Sequence, residues 1–297
     1  MSSRLPMHDL RFPRSSRATR TLGSSLLLAL CLAGLVSCSD PAPGQTHVLL
    51  ISEMRMVLGP EPDGSLRGID LDDRVDDTPS PETCGKVDGT APDGTPGVDN
   101  QFSILGAAVV SQLGGNADAL IQTSINDGRL LVLLELTNVD DLENDDDVTV
   151  RIHIGSGPVD VGTDGRPEPG QSFDISAMSQ DIEVRNVQIV DGRIDIRPFD
   201  INVNVDILQA MFQLTLLDAR IVLDLHEDES GSGVLGAAVD RFMVRDIVAN
   251  DEVLMPTLGA VEILLRGLGD LAPNDIGGCD RISVGIDIDV VPAFILR

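Results

Sequence analysis

The sequence predicts a mainly β fold, an antiparallel sandwich or a strongly curved sheet with two or three helices packed on it. Apolar and polar residues alternate over several stretches, which is typical of strands with one buried and one solvated face. These stretches outnumber the helical ones. The chain has no Trp or Tyr and only seven Phe, so the core of this sheet must be aliphatic.

The spacing of apolar residues predicts the individual strands and helices. The strand-like segments are 47–58, 130–136, 148–154, 182–190, 193–197, 201–207, 217–225, 234–244 and 282–290. Asp191-Gly192 separates two of them and predicts a tight hairpin turn. Helical spacing predicts two short helices or one broken helix within 101–125, and another helix within 256–268. Residues 59–100 are rich in Asp, Pro, Gly and Thr and predict a long loop.

The N-terminal 37 residues have the order of a secretory signal. Five arginines precede an apolar run from Leu22 to Val36, which is too short and too rich in small residues for a membrane span. The run ends in Leu35-Val36-Ser37-Cys38, which resembles the lipobox of bacterial lipoproteins. That resemblance implies that Cys38 is acylated and becomes the first residue of the mature chain. The alternative is an ordinary cysteine in a signal peptide that is cleaved elsewhere.

The same resemblance implies a location and a domain plan. Ser39, and not Asp, follows Cys38, which favours the outer membrane over retention at the inner one. Residues 38–45 then form a tether, and 46–297 form a single β-rich domain. The segments 88–102 and 278–284 are similar to parts of uncharacterised acidic envelope lipoproteins, and this similarity carries no activity with it.

Charge narrows the classes of partner. Removal of residues 1–37 takes away five Arg and one Asp, which leaves 16 basic and 47 acidic residues and a net charge of −31. Such a surface repels nucleic acid and anionic lipid head groups. We therefore expect membrane contact through the lipid alone and no nucleic-acid partner.

Two cysteines remain in the domain once Cys31 leaves with the signal and Cys38 carries lipid. Cys84 and Cys279 would lie in an oxidising compartment, where a disulfide is the default. A metal site or a reactive thiol is the alternative, but neither cysteine has a His near it in the sequence.

Calcium is the one candidate cofactor. Asp70, Asp72, Asp73 and Asp76 place carboxylates close together, and hard cations take oxygen ligands of this type. The segment departs from the EF-hand loop, because Arg74 occupies a ligand position and Val75 replaces the required Gly. The alternative is a solvated acidic loop, and the same choice applies to the acidic cluster at 140–147.

No motif predicts catalysis. His226-Glu227 begins like a zincin motif, but Ser230 stands where the second His is required, and no phosphate-binding or dinucleotide-binding loop occurs. We therefore expect a non-catalytic binding or structural module of the cell envelope, with an envelope protein or an apolar ligand as partner. One alternative is a carrier of lipid, since long amphipathic strands such as 217–225 resemble those of envelope lipid carriers. A second is an extracytoplasmic hydrolase that uses a pair of the many carboxylates.

Overall fold

The computed structural model describes residues 44–105, 117–207, 210–250, 252 and 255–297, all of which belong to one compact unit. The predicted signal, Cys38 and most of the tether lie outside the described residues. The strands within them are β1 (Gln45–Met56), β2 (Gly89–Thr90), β3 (Pro96–Val98), β4 (Val132–Val139), β5 (Asp145–Ser156), β6 (Gln171–Ile175), β7 (Ile182–Val190), β8 (Arg193–Ile207), β9 (Ala210–Leu225), β10 (Gly231–Asp240), β11 (Leu271–Pro273) and β12 (Cys279–Ile295). The helices are α1 (Ala117–Asn126), α2 (Arg241–Asn250) and α3 (Leu258–Leu268), with short 3-10 turns at Gln101–Leu105 and Met255–Thr257.

Eight of these strands close into a barrel. The order β1-β4-β5-β7-β8-β9-β10-β12 is antiparallel throughout, and β12 pairs back with β1 from Val48–Ala293 to Met56–Ile286. The mainly β, antiparallel prediction is confirmed, but the sandwich is wrong. The sheet curves until its first and last strands pair, which removes the two outer edges that an open sheet would expose at β1 and β12.

Side chains fill the barrel. Alternate residues of β5 such as Val148, Val150 and Ile152 are at most 1% exposed, and Ile194 and Ile196 of β8 and Ile221 and Leu223 of β9 are equally buried. An eight-stranded barrel has an interior about wide enough for side chains alone. The core is therefore the aliphatic one that the composition predicts.

Local changes of the backbone explain where the alternation of apolar and polar residues predicts the wrong inward-facing side chain. Asp218 has a φ of +48°, and the register of β9 shifts beside it. As a result Leu216, and not Leu217, shares the inner face with Ala219 and Ile221. At Asp191-Gly192 both residues have positive φ, as the predicted hairpin turn requires.

Three segments differ from their predicted structure. The strand predicted to run to Val244 ends at Asp240, because Asp240 Oδ1 accepts the backbone N–H of Phe242 at 2.7 Å and begins helix α2. The segments 193–197 and 201–207 belong to one strand, β8. Within 101–125 the structure has the 3-10 turn and α1, and 106–116 lie outside the described residues.

The barrel has two chemically different ends. Gln45 of β1 pairs with Val139 at the end of β4, and His47 Nδ1 lies 3.3 Å from Glu229 in the β9–β10 turn. This end, named the tether end, gathers the acidic turns 140–144 and 227–229. Helix α2 begins at the opposite end, where Asp240 pairs with Arg281.

Candidate metal site in the acidic loop

The acidic loop 59–100 is fastened to the outside of the barrel. Cys84 and Cys279 form a disulfide with their Cα atoms 5.8 Å apart, the pairing that the sequence predicts. Arg220 of β9 donates from Nη1 to the carbonyl of Asp70 at 2.7 Å. The Asp99 N–H donates to the Ile69 carbonyl at 3.0 Å, so the two halves of the loop are tied to each other as well.

Three carboxylates meet where these halves join. One oxygen each of Asp70, Asp72 and Asp99 lies within 4.8 Å of the others. Asp99 is only 5% exposed, while Asp72 lies at the solvent-facing side. Oxygens that share one Ca²⁺ each lie about 2.3–2.6 Å from the ion and so stand up to about 5 Å apart. The spacing of the three carboxylates therefore fits a calcium ion.

Hydrogen bonds from the backbone hold these carboxylates in place. Asp99 Oδ2 accepts the Leu71 N–H at 2.8 Å. The Arg74 N–H is shared between Asp70 Oδ1 at 3.2 Å and Asp72 Oδ1 at 3.1 Å. These donors are neutral amides, so they orient the carboxylates without neutralising their charge.

Burial makes the charge of this cluster unfavourable. The pKa of Asp99 is raised to about 8, chiefly by burial; the Leu71 hydrogen bond lowers it and the nearby carboxylates of Asp72 and Asp88 raise it. Partial burial also raises the pKa values of Asp72 and Asp88. Asp270, which accepts hydrogen bonds from Ser283, has its pKa raised by burial to about 6. Near neutral pH, burial therefore favours a proton or a cation at Asp99.

The predicted site residues divide into two pairs. Asp70 and Asp72 belong to the triad. Asp73 pairs with Arg197, and Asp76 pairs with Arg74 Nη2 at 3.0 Å, so both are held by arginines. Asp99 was not among the predicted ligands, because it lies 27 residues beyond Asp72. Only the pairing of the two halves of the loop brings it in.

The histidines make structural contacts. His153 Nε2 lies 2.8 Å from Glu135 Oε2, and Glu135, which is 2% exposed, also pairs with Arg297. His226 Nδ1 lies 3.1 Å from Ser230 Oγ, which donates to Asp228 at 2.6 Å. In this exposed turn the carboxylate contacts the serine and not the histidine. At this turn the carboxylate therefore does not orient the histidine, as it would in the triad of a serine hydrolase.

Comparisons of the chain with known proteins find no relative. No protein-family model, curated protein or solved structure matches the chain. Among the described residues, no helix is long and apolar enough to cross a membrane.

Proposed function

We propose that the chain is a lipid-anchored, non-catalytic binding module of the bacterial outer membrane whose acidic loop is organised by Ca²⁺. The observation that carries the calcium part is the meeting of Asp70 and Asp72 with the buried Asp99. The anchoring part is supported by the lipobox-like sequence that ends at Cys38.

The free energy of the site favours a cation over an empty cluster. An ionised carboxylate in a buried position is strongly unfavourable unless it is paired. Asp99 has the carboxylates of Asp72 and Asp88 near it and accepts a hydrogen bond from the neutral Leu71 amide. The nearby arginines are already paired: Arg74 of the loop with Asp76, and Arg197 of β8 with Asp73. A divalent cation would neutralise the triad and hold the two halves of the loop together.

The anchor would place the acidic turns next to the bilayer. The tether enters at Gln45, beside the turns 140–144 and 227–229. A negative surface held there is repelled by anionic lipid within a Debye length of about 8 Å at physiological ionic strength. The tether end is therefore expected to face the membrane without touching it, held off by the repulsion. The opposite end, where helix α2 begins, would then face away from the membrane.

The filled barrel favours this proposal over a lipid carrier. The inner faces of β5, β8 and β9 pack against one another with exposures near zero, so an apolar ligand would have to displace core side chains. The hydrolase alternative has less support, because the contacts of His153 and His226 described above are structural.

Thermal melting of the full chain in a non-ionic detergent tests the calcium part. We expect the midpoint to rise when 2 mM CaCl₂ replaces a chelator, by an amount that grows with free calcium as RT ln(1 + [Ca²⁺]/Kd) requires. The rise should vanish in a D70N/D72N variant. It should persist in Asp146→Asn, an exposed aspartate of the other acidic cluster. Equal rises in all three proteins would exclude this site.

A further inference from the structure

The seam between β7 and β8 is the weakest ladder in the ring. It holds two residue pairs, Ile189–Ile194 and Val190–Arg193, whereas β8 and β9 share twelve. Asn186 bulges β7 with a φ of +55°, and Pro198 has no N–H to donate from β8. The two strands therefore face each other beyond the turn without a continuous ladder.

A groove of about 780 Å³ opens along the outside of this seam. Its walls come from Val184–Val190 of β7, Arg193–Arg197 of β8 and Arg220–Asp224 of β9. Past the groove, the Asn202 N–H of β8 donates to the side chain of Gln180 at 2.6 Å. There a side chain, and not a strand, satisfies the edge of β8. Beyond the two pairs at the turn, β7 pairs with β5 and β8 with β9 but not with each other among the described residues, which leaves their facing edges open to a further strand.

Four arginines and three aspartates line the groove, which gives its lining a net charge of +1 in a domain of net charge −31. Arg185, Arg193, Arg197 and Arg220 lie there, which is four of the fifteen arginines that follow Cys38. The first three have side chains 72%, 56% and 41% exposed. Each guanidinium has five N–H donors, and the acidic partners of these three use only some of them.

We propose that this groove binds an extended peptide segment that carries carboxylate side chains and pairs with the open strand edges. Backbone hydrogen bonds to an exposed edge give such complexes their affinity, and side-chain contacts give their specificity. Guanidinium groups recognise carboxylates with two parallel hydrogen bonds. The net charge of the domain does not prevent this, because charges farther than about 8 Å are largely screened at physiological salt.

The proposal names a partner class for the binding module proposed above and rests on that role. It uses side chains other than those of the Asp triad, so the two can fail separately. The tested arginines, Arg185 and Arg193, pair with Glu183 and Asp224 and not with the acidic loop, so a peptide titration repeated in chelator keeps the two proposals distinguishable.

Fluorescence anisotropy with a labelled decapeptide of alternating Val and Glu tests the proposal on the full chain in detergent. Three comparisons are needed: a Val/Gln decapeptide, a Val/Glu decapeptide with N-methylated backbone, and a chain with Arg185→Gln and Arg193→Gln. The control chain carries Arg266→Gln, whose arginine is 70% exposed on α3, far along the chain from the seam. Circular dichroism melting shows whether each variant is folded.

We expect the Val/Glu peptide to bind at least about tenfold more tightly than either altered peptide, and the double variant to lose about tenfold in affinity. The control chain should bind like the wild type. Equal binding of the N-methylated peptide would overturn strand pairing. Unchanged binding to a folded double variant, or no binding to the wild type, would overturn the site.

Discussion

Replacing Asp99 by Asn should remove most of the loss of stability that the wild type suffers as pH rises, because it removes the charge and keeps the shape. Asn retains an oxygen that can accept the Leu71 N–H. The pKa of Asp99 in the folded chain is about 8, against 3.8 without the fold. The folded state then binds more protons than the unfolded state between these values. The contribution to stability is complete below pH 3.8 and is lost as pH rises toward 8.

The size of the effect follows from the shift. At about 1.4 kcal/mol per pKa unit the ceiling is about 5 kcal/mol at pH 8. The effective dielectric of real proteins exceeds that of a dry interior, so we expect about 2–4 kcal/mol. With chelator present, Asp99→Asn should be more stable than the wild type at pH 8 by this amount and nearly equal to it at pH 4. A remaining slope below about pH 6 should come from Asp270, whose pKa is raised to about 6.

Calcium should reverse the order. At pH 8 the ion would stabilise the wild type, whose Asp99 is ionised and available as a ligand, and leave Asp99→Asn almost unchanged. Urea unfolding followed by circular dichroism at pH 4, 6 and 8, with chelator and with calcium, measures all of these values. If the variant is less stable than the wild type at pH 8 in chelator, the assignment of Asp99 as an unfavourably buried charge is refuted.

Three further predictions concern the anchor, the fastening of the loop and the core. Mass spectrometry of the mature protein should find acyl chains on Cys38, and Cys38→Ser should release the chain into the soluble fraction; an unmodified Cys38 would contradict the anchor. Cys84→Ser removes the disulfide between residues 195 apart, and the chain-entropy model gives a loss of about 5 kcal/mol in the free energy of unfolding. An unchanged melting midpoint would contradict a stabilising disulfide. Phe173→Ala, at a side chain that is 0% exposed, should lower the free energy of unfolding by about 3–5 kcal/mol. Phe294→Ala, at a side chain that is 59% exposed, should lower it much less. Similar losses for both variants in urea unfolding would contradict the described core.

The strands could be predicted because the alternation of side chains is a local property. Val148–Ile154 and the turn at Asp191-Gly192 need only neighbouring residues to be read correctly. Closure could not be predicted in this way, because it depends on β1 pairing with β12 across more than 200 residues. The same alternating pattern fits a sandwich, a curved open sheet and a barrel.

Only part of the candidate site could be predicted from the sequence, for a similar reason. Asp70 and Asp72 are neighbours in sequence, so the acidic segment itself pointed to them. Asp73 and Asp76 look equivalent in sequence, but Arg197 and Arg74 pair with them in the fold. Asp99 joins the cluster through the bridge between Ile69 and Asp99, which no local pattern records.

Calorimetric titration of Ca²⁺ into the full chain tests the central claim most directly. For the wild type at pH 7.5 we predict one ion bound per chain, accompanied by proton release, because the pKa of Asp99 keeps this carboxyl partly protonated before binding. The D70N/D72N variant should show no heat of specific binding. If the variant binds calcium as the wild type does, or if the wild type binds none, the acidic loop is not organised by calcium.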